Sequence, residues 1–169
     1  MVSITLKPVM PKGVLSGEGV RRNIEALMRV KSGPEVRTLF KQTVDGWKLI
    51  PTFTIKTVNT KRELLTQIWP YGDNEAANKY RLVVLGSPRH TIKPVRAKLL
   101  RFRTGYRAAT RPRVIGSSRA IRSGPWVGLA LVNHPGFEGR AFDEAIAEVY
   151  EPIFQDDVKK AVSKSEIWV

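Results

Sequence analysis

Arginine supplies most of the chemistry that this sequence offers, and it is concentrated in a stretch without carboxylates. Between Ala76 and Phe137 the chain holds 13 of its 29 Lys and Arg residues and none of its 15 Asp and Glu residues. The other 16 basic residues nearly cancel the acidic ones, so the net charge of +14 belongs to this stretch. Arginine makes planar, bidentate contacts to phosphate or carboxylate, whereas lysine acts more as a hydrated point charge. We therefore expect the stretch to meet polyanions or acidic protein surfaces, with a solvated basic face as the ordinary alternative.

Aromatic residues alternate with some of these arginines, in Arg101-Phe102-Arg103 and in Gly105-Tyr106-Arg107. Such a pattern suits stacking and phosphate contacts to single-stranded nucleic acid, although Phe102 fits equally well as the buried member of a strand. Because Arg-rich loops also dock on acidic protein surfaces, both interpretations stay open. The candidate subunit-docking or DNA-facing residues are Arg101, Arg103, Arg107, Arg111, Arg113, Arg119 and Arg122.

Catalytic constellations are hard to assemble from the remaining residues. The chain has two histidines, His90 and His134, and neither has a carboxylate near it in sequence, so both are interpreted as turn or interface residues. Metal-dependent nucleases need clustered carboxylates, which the predicted strands between Tyr80 and Val132 lack. Phosphate-binding glycine motifs are also missing from the sequence. We predict a protein that is not an enzyme, with no catalytic residue, no metal and no cofactor.

The elements that must position these residues belong to one domain over residues 1–169, a length that supports a hydrophobic core. The sequence contains no cysteine, which excludes disulfides and thiol chemistry and fits a reducing compartment. No apolar run approaches the roughly 18 residues of a membrane span. The sequence thus favours a soluble intracellular protein without a membrane partner.

Helical periodicity predicts N-terminal helices over residues 16–47. Apolar residues at helical spacing place a first helix from about Gly17 to Lys31. Ser32-Gly33-Pro34 should interrupt it, and a second apolar stripe runs from there to Trp47. A C-terminal helix is predicted over 140–162, and Pro152 should kink or restart it. Asp143, Glu144 and Glu148 lie on the face of that helix opposite its apolar residues, where solvent exposure is expected.

Residues 48–132 are expected to form the sheet. Period-two patterns predict a hairpin between Lys48 and Trp69, connected at Asn59-Thr60, and one helical turn over 75–78. Further strands are predicted at 80–85, 98–103 and 126–132, with a long Arg-rich loop at about 103–124. The fold class is therefore α+β, a small and mostly antiparallel β-sheet packed by N-terminal helices and a C-terminal helix. The last residues are apolar and either fold back on the core or contact a neighbour: Ile167, Trp168 and Val169.

Spaced motifs in the second half of the chain resemble a known family. These are Tyr80-Arg81-Leu82-Val83-Val84-Leu85-Gly86-Ser87-Pro88-Arg89-His90-Thr91-Ile92-Lys93-Pro94, then Ala97-Lys98-Leu99-Leu100-Arg101-Phe102, and finally Val132-Asn133-His134-Pro135-Gly136 with Arg140-Ala141-Phe142. In this order they resemble the tail-completion family of tailed phages, in which a strand ends in a Gly-Thr-x-Pro-His-like turn and a His-Pro-Gly turn precedes the last helix. The residues that match the family's turns are Gly86, Pro88, His90, Pro94, His134, Pro135 and Gly136.

The resemblance covers about half the chain, from near Asp73 to Tyr150, and it has departures. Ser87 stands where the family usually has threonine. In the N-terminal half, Asp45-Gly46-Trp47 leads into the hairpin where the commonest version has a Thr-Gly-x-Leu step. These differences bear on the subfamily, and hence on the neighbours, more than on the family.

The resemblance implies a structural virion protein of the phage neck or tail, made in the host cytoplasm. It implies a tail-completion or head–tail connector subunit in a ring, taken as a hexamer, around the channel through which the genome passes. The implied partners are further copies of the chain, an adjacent head–tail connector or portal-side ring, a tail terminator or tail tube, and the genome DNA. The alternative is a basic nucleic-acid-binding module without catalysis.

Overall fold

The computed structural model describes residues 2–9, 17–60, 63–108, 110–116 and 121–166. It has four α-helices and several small antiparallel sheets, so the predicted α+β class is confirmed. Among the described residues, no helix is long and apolar enough to cross a membrane. The predictions for Arg119 and for Ile167, Trp168 and Val169 fall outside the described residues.

The N-terminal helices form one continuous helical segment. Helix α1 (Glu18–Leu27) passes into a π-helical turn (Met28–Ser32), and helix α2 (Gly33–Thr43) follows directly. The predicted interruption at Ser32-Gly33-Pro34 is therefore wrong. Pro34 lies directly after the π-helical turn, in which the N–H of Gly33 donates to the carbonyl of Met28 five residues earlier, and the helix continues through the proline.

The main sheet has three strands in the order β1 (Ile4–Leu6), β3 (Glu63–Pro70) and β2 (Phe53–Thr60), all antiparallel. The predicted hairpin is confirmed, but its connection is not Asn59-Thr60, because the ladder continues to the pair of Thr60 with Glu63. Strand β1 has no counterpart among the predicted elements. The guanidinium of Arg21 on α1 donates to the carbonyl oxygen of Glu63 at 3.1 Å, which fastens α1 to the end of the hairpin.

Helix α3 (Glu75–Leu85) replaces a predicted single turn and strand. Its N-cap is Asn74, whose side chain accepts a hydrogen bond from the N–H of Ala77 at 2.9 Å. Ala77, Tyr80 and Val84 are buried and recur at helical spacing. A six-residue apolar run fits either kind of element, and the strand at 80–85 was the wrong choice.

Helix α4 (Phe142–Glu166) begins two residues after its predicted start and continues without a break through Pro152. It packs against α1, α2 and β1. One hydrophobic core draws residues from all of these elements and from α3. At its centre Tyr80 lies 5.1 Å from Phe53 and 6.1 Å from Phe142, measured between ring centroids. The aromatic cluster therefore joins the sheet to the last helix.

The eight remaining strands of the described residues are short and form four antiparallel pairs. They are β4 (Gly86–Ser87) with β11 (Phe137–Glu138), β5 (His90–Ile92) with β10 (Val132–His134), β6 (Leu100–Arg103) with β9 (Trp126–Leu129), and β7 (Tyr106–Arg107) with β8 (Ile121–Arg122). The predicted strand at 98–103 corresponds to β6. The predicted strand at 126–132 is divided between β9 and β10.

Candidate docking surface

Two segments far apart in sequence meet where β4 pairs with β11 and β5 pairs with β10. Ser87 faces Phe137 in the first pair, and His90 faces His134 in the second. These are the two turn segments that carry the family resemblance. We call them together the turn junction, defined as residues 86–92 and 132–138. Because the pairings are consecutive, the two segments lie side by side along their whole length.

Two glycines allow the turn junction to close. Gly86 has φ +83° and Gly136 has φ +84°, positive values that cost a residue with a side chain about 1 to 3 kcal/mol. A Cβ atom on Gly86 would lie 2.7 Å from the carbonyl oxygen of Phe137, and one on Gly136 would overlap the carbonyl oxygen of Ser87. Each glycine thus permits a close backbone approach to the opposite segment.

The histidines stack within the turn junction, with ring centroids 5.0 Å apart. The Nδ1 of His90 lies 2.8 Å from the carbonyl oxygen of Pro88, a distance at which an Nδ1–H donates to that oxygen. The Nδ1 of His134 accepts from the N–H of Gly136 at 3.0 Å. Both rings are therefore tied to their own turns. Among the described residues there is also no group of three or more His, Cys, Asp or Glu side chains arranged to hold a metal ion.

The turn junction also joins the end of α3 to the start of α4. The N–H of Arg140 donates to the carbonyl of Val83 at 3.0 Å, and the N–H of Ala141 donates to the carbonyl of Val84 at 3.2 Å. The last carbonyls of a helix have no partner within the helix. These two bonds satisfy two of them, so the position of the turn junction is fixed relative to both helices.

A two-stranded arm extends from this region and contains most of the candidate arginines. We define the arm as residues 100–107 and 121–129. Strands β6 and β9 form its first part, β7 and β8 its second, and between them the N–H of Thr104 donates to the carbonyl of Pro125 at 3.1 Å. The long Arg-rich loop predicted at about 103–124 is therefore interrupted by the paired strands β7 and β8.

The two faces of the arm differ in chemistry. Directly opposed residues share a face in an antiparallel pair, so Leu100 and Phe102 lie on one face with their partners Leu129 and Val127. The other face presents Arg101, and Arg103 with its guanidinium 5.3 Å from the ring centroid of Trp126. Phe102 is 36% exposed, Leu129 46% and Trp126 65%. The expectation that Phe102 could be a buried strand residue is thus wrong, because the described strands add no third layer that covers it.

The segment after β7 returns to the body of the protein, and we call residues 110–116 the return loop. Thr110 is buried, Ile115 packs against the core, and the N–H of Arg113 donates to the carbonyl of Arg140 at 2.8 Å. The guanidinium of Arg113 also lies 2.7 Å from a carboxylate oxygen of Glu144 and 3.4 Å from one of Glu148. These two glutamates are exposed as expected, but they also bind the return loop.

The other candidate residues are distributed along the arm and the return loop. Arg107 and Arg111 are exposed, and Pro94 is partly buried. Arg122 lies in strand β8, opposite Tyr106. Sequence reasoning missed the exposed Trp126 and the outer face of α4, where Val149 and Ile153 are 52% and 47% exposed. Val149 and Ile153 keep the helical spacing of the buried residues Phe142, Ile146 and Phe154, so no pattern in the sequence marks them as exposed.

Comparison with known proteins adds no relative, because no family model, curated protein or solved structure matches the chain.

Proposed function

We propose that this protein is a structural subunit of the neck or tail of a tailed phage. In this role several copies form a ring around the DNA channel, as a tail-completion or head–tail connector protein, and the chain performs no catalysis. The virion is its place of action. Its partners are other copies of itself, the rings above and below it, and the passing genome.

The observation that supports this most is the turn junction. The resemblance rests on two groups of turn residues that are separated by about 45 positions in sequence. In the fold they pair as adjacent antiparallel strands, with Ser87 opposite Phe137 and His90 opposite His134. Motifs that matched by chance would have no reason to meet. One part of the resemblance does not fit, because Gly86 ends helix α3 where the family has a strand.

The number of basic residues in the acid-free stretch also favours a protein partner over DNA alone. A domain of this length is roughly 40 Å across, and duplex DNA has one phosphate per about 1.7 Å of axis. A ring one subunit thick therefore surrounds about 24 phosphates. Six copies of the 13 basic residues would carry about three times that number of charges. Most of these charges are thus left for acidic protein surfaces.

The oligomeric state of the purified chain tests the proposal. We expect ring-shaped particles in negative-stain images and a mass several times that of the monomer by light scattering. Addition of a portal-side or tail-tube ring from the same phage should stack the two particles. A chain that stays monomeric at all concentrations and binds neither neighbour contradicts the proposal.

A second candidate, a nucleic-acid-binding module, is favoured by the exposed pair of Arg103 and Trp126. An aromatic face beside a guanidinium offers stacking and a phosphate contact to a single strand. This function predicts binding by the monomer, with an affinity that falls steeply as salt rises. Fluorescence anisotropy with single-stranded and duplex DNA at several salt concentrations measures it. Absence of binding at low salt would exclude this candidate and leave the ring proposal standing.

A further inference from the structure

The main sheet has two edges, one at β1 and one at β2, and within the described residues neither edge pairs with a further strand. Strand β2 pairs with β3 over its whole length from Phe53 to Thr60. On its other side no backbone group of the described residues bonds to it. Such an edge is a row of N–H and C=O groups with which a strand of another chain can pair. Because β2 extends over roughly 26 Å, its edge offers a long site for strand addition.

The edge at β1 opens into a groove of about 500 Å³ that lies between residues 4–9 and α4. One wall is the extended strand, and the other carries Ala147 and Phe154 of the helix. Residues 2–9 alternate between buried and exposed positions, as a strand does, although only Ile4–Leu6 pair with β3. Extended segments bind to other proteins by adding a strand to such an edge, with pockets for alternate side chains. The groove therefore has the form of a site that accepts one strand.

The faces of the two edges match each other. Ile4 of β1 and Ile55 of β2 both lie opposite Ile68, on the face of the sheet that α2 and α4 cover. Their neighbours Thr5 and Lys56 lie on the other face and are exposed. A sheet that continues from β2 of one copy to β1 of another thus keeps the helices of both copies on one side. The exposed side chains of both copies then lie together on the other side.

The charges on the helices also suit this arrangement. Arg37 and Lys41 lie one turn apart on the side of α2 away from Glu35, which bonds to Tyr150 of α4 at 2.6 Å. Glu151 is exposed on the side of α4 that lines the groove. Among the described residues, neither this glutamate nor the two basic residues belong to an ion pair. When β2 pairs with β1 of the next copy, α2 comes beside α4 of that copy, so opposite charges meet there.

We propose that copies of this chain join edge to edge, with β2 of one copy pairing with β1 of the next in the groove beside α4. The inference rests on the proposed ring. Within one chain β3 separates the two edges, so only another chain can bring them together. Because both strands run antiparallel to β3, the joined strands run parallel to each other. The contact joins two different surfaces, and heterologous contacts of this kind form rings when the rotation closes.

Disulfide cross-linking tests the contact, because the chain has no cysteine of its own. Thr5→Cys is combined in turn with Thr54→Cys, Lys56→Cys and Val58→Cys, which lie on the same face of the sheet and allow for different registers. In one chain β3 keeps each pair about 10 Å apart, beyond the roughly 7 Å that a disulfide spans between Cα atoms. Adjacent strands are about 4.8 Å apart, so cysteines of two joined copies can bond. The control is Thr5→Cys with Lys93→Cys, an exposed position outside the main sheet.

After mild oxidation with copper phenanthroline, at least one of the three pairs should lose most of its monomer band on a non-reducing gel. The band should become a ladder that ends at the number of copies in the ring and collapses with reductant. The control pair should stay monomeric. A mixture of the two single-cysteine variants of the reactive pair should stop at the dimer, since each copy then has one cysteine. Circular dichroism under reducing conditions establishes that every variant is folded.

Several outcomes would overturn the inference. If wild-type rings form but no pair cross-links above the control, the copies contact each other elsewhere, and the proposed function survives. If a single-cysteine variant of β2 forms dimers as readily as the pair, β2 pairs with itself. If the cysteines link the chain to an added portal-side or tail-tube ring and not to a second copy, a neighbouring ring occupies the edge. A wild-type chain that is always monomeric contradicts both the inference and the proposed function.

Discussion

The turn junction can close at Gly136 because this residue has no side chain. The residue has φ +84°, and its α-carbon faces the carbonyl of Ser87 so closely that a side chain has no room. Gly136 itself is held in this position, because its N–H donates to Nδ1 of His134. The position therefore combines an unfavourable backbone conformation with a steric conflict.

Gly136→Ala should lower the free energy of unfolding by about 2 kcal/mol or more. Urea denaturation measures this loss. Gly19→Ala is the matched control, because Gly19 lies in helix α1 with open space around it. There alanine should be neutral or stabilise the protein by about 0.5 to 1 kcal/mol. Equal stability of the two variants would contradict the account of the junction.

A second residue-scale prediction concerns Tyr80, whose pKa is raised above its ordinary value of 10.0 by burial. Above pH 10 the unfolded chain loses the phenol proton while the folded chain keeps it. Stability that is present below pH 10 is therefore lost as pH rises, by about 1.4 kcal/mol per pH unit for this group.

Tyr80→Phe should remove the part of the stability loss at alkaline pH that comes from this phenol. Thr43 keeps its bond to the carbonyl of Phe40 at 2.7 Å, so the variant should fold. Urea unfolding between pH 9 and 11.5 should show that the free energy of unfolding falls less steeply with pH in the variant than in the wild type. Tyr71→Phe, which removes an exposed phenol, is the comparison. Parallel stability curves for wild type and Tyr80→Phe would refute the prediction.

Among the elements, α3 is the one whose type could not be predicted from the sequence pattern alone. Helices α1, α2 and α4 and the hairpin of β2 and β3 were predictable, because each repeats its pattern over at least eight residues. The apolar run in α3 spans six residues and fits two periods. Its helical state depends on the Asn74 cap and on Tyr80 fitting among the core aromatics. The second of these is a tertiary contact that no local pattern contains.

The candidate site was predictable to a similar degree. Arginine content located the arm, and the turn motifs identified both halves of the junction. That the halves pair, and that Arg113 turns back to α4, follows from contacts across 31 to 52 residues. Strand β1 was missed for the same reason, since three residues become a strand only beside β3.

The cap of α3 can be tested directly. Asn74→Ala should cost about 1 kcal/mol, because the N–H of Ala77 loses its acceptor. Asn74→Asp should retain most of the stability, since aspartate caps helices equally well. Chemical denaturation compares the two variants. A strand at this position would make both substitutions nearly neutral.

The return loop offers another prediction at the scale of an element. Arg113→Glu places a third carboxylate beside Glu144 and Glu148, so the loop should detach more often from α4. Hydrogen exchange over residues 110–116 should become faster, with little change in global stability, because exposed ion pairs contribute about 0 to 1 kcal/mol. Arg111→Glu, in the same loop, is the control. Equal exchange rates in the two variants would show that the ion pairs do not hold the loop.

For the whole molecule, basic charge lies on the arm side and acidic charge on the outer face of α4, whose inner face belongs to the core. Among the residues whose burial the structure describes, none in β6 or β9 belongs to the core, and Ile115 of the return loop packs against it. Since Arg103 faces Trp126 across the ladder, residues 104–125 can be replaced by Asn-Gly, the sequence of a two-residue hairpin turn.

The shortened protein should fold with a loss of about 1 to 2 kcal/mol, corresponding to the lost packing of Ile115. It should also fail to form the ring of the proposed function, because the replaced segment carries five of the seven candidate docking arginines: Arg107, Arg111, Arg113, Arg119 and Arg122. Thermal unfolding and light scattering measure the two effects separately. Normal assembly of the shortened chain would show that the outer arm takes no part in it.

The packing of α1 against α4 has a consequence for synthesis. Ile24 and Met28 are fully buried, and α4 contributes Phe142, Ile146 and Phe154 to the same core. A ribosome makes the first helix well over a hundred residues before the last of these arrives. The nascent chain therefore carries an uncovered apolar stripe for most of its translation, and it cannot complete its core until α4 has left the exit tunnel.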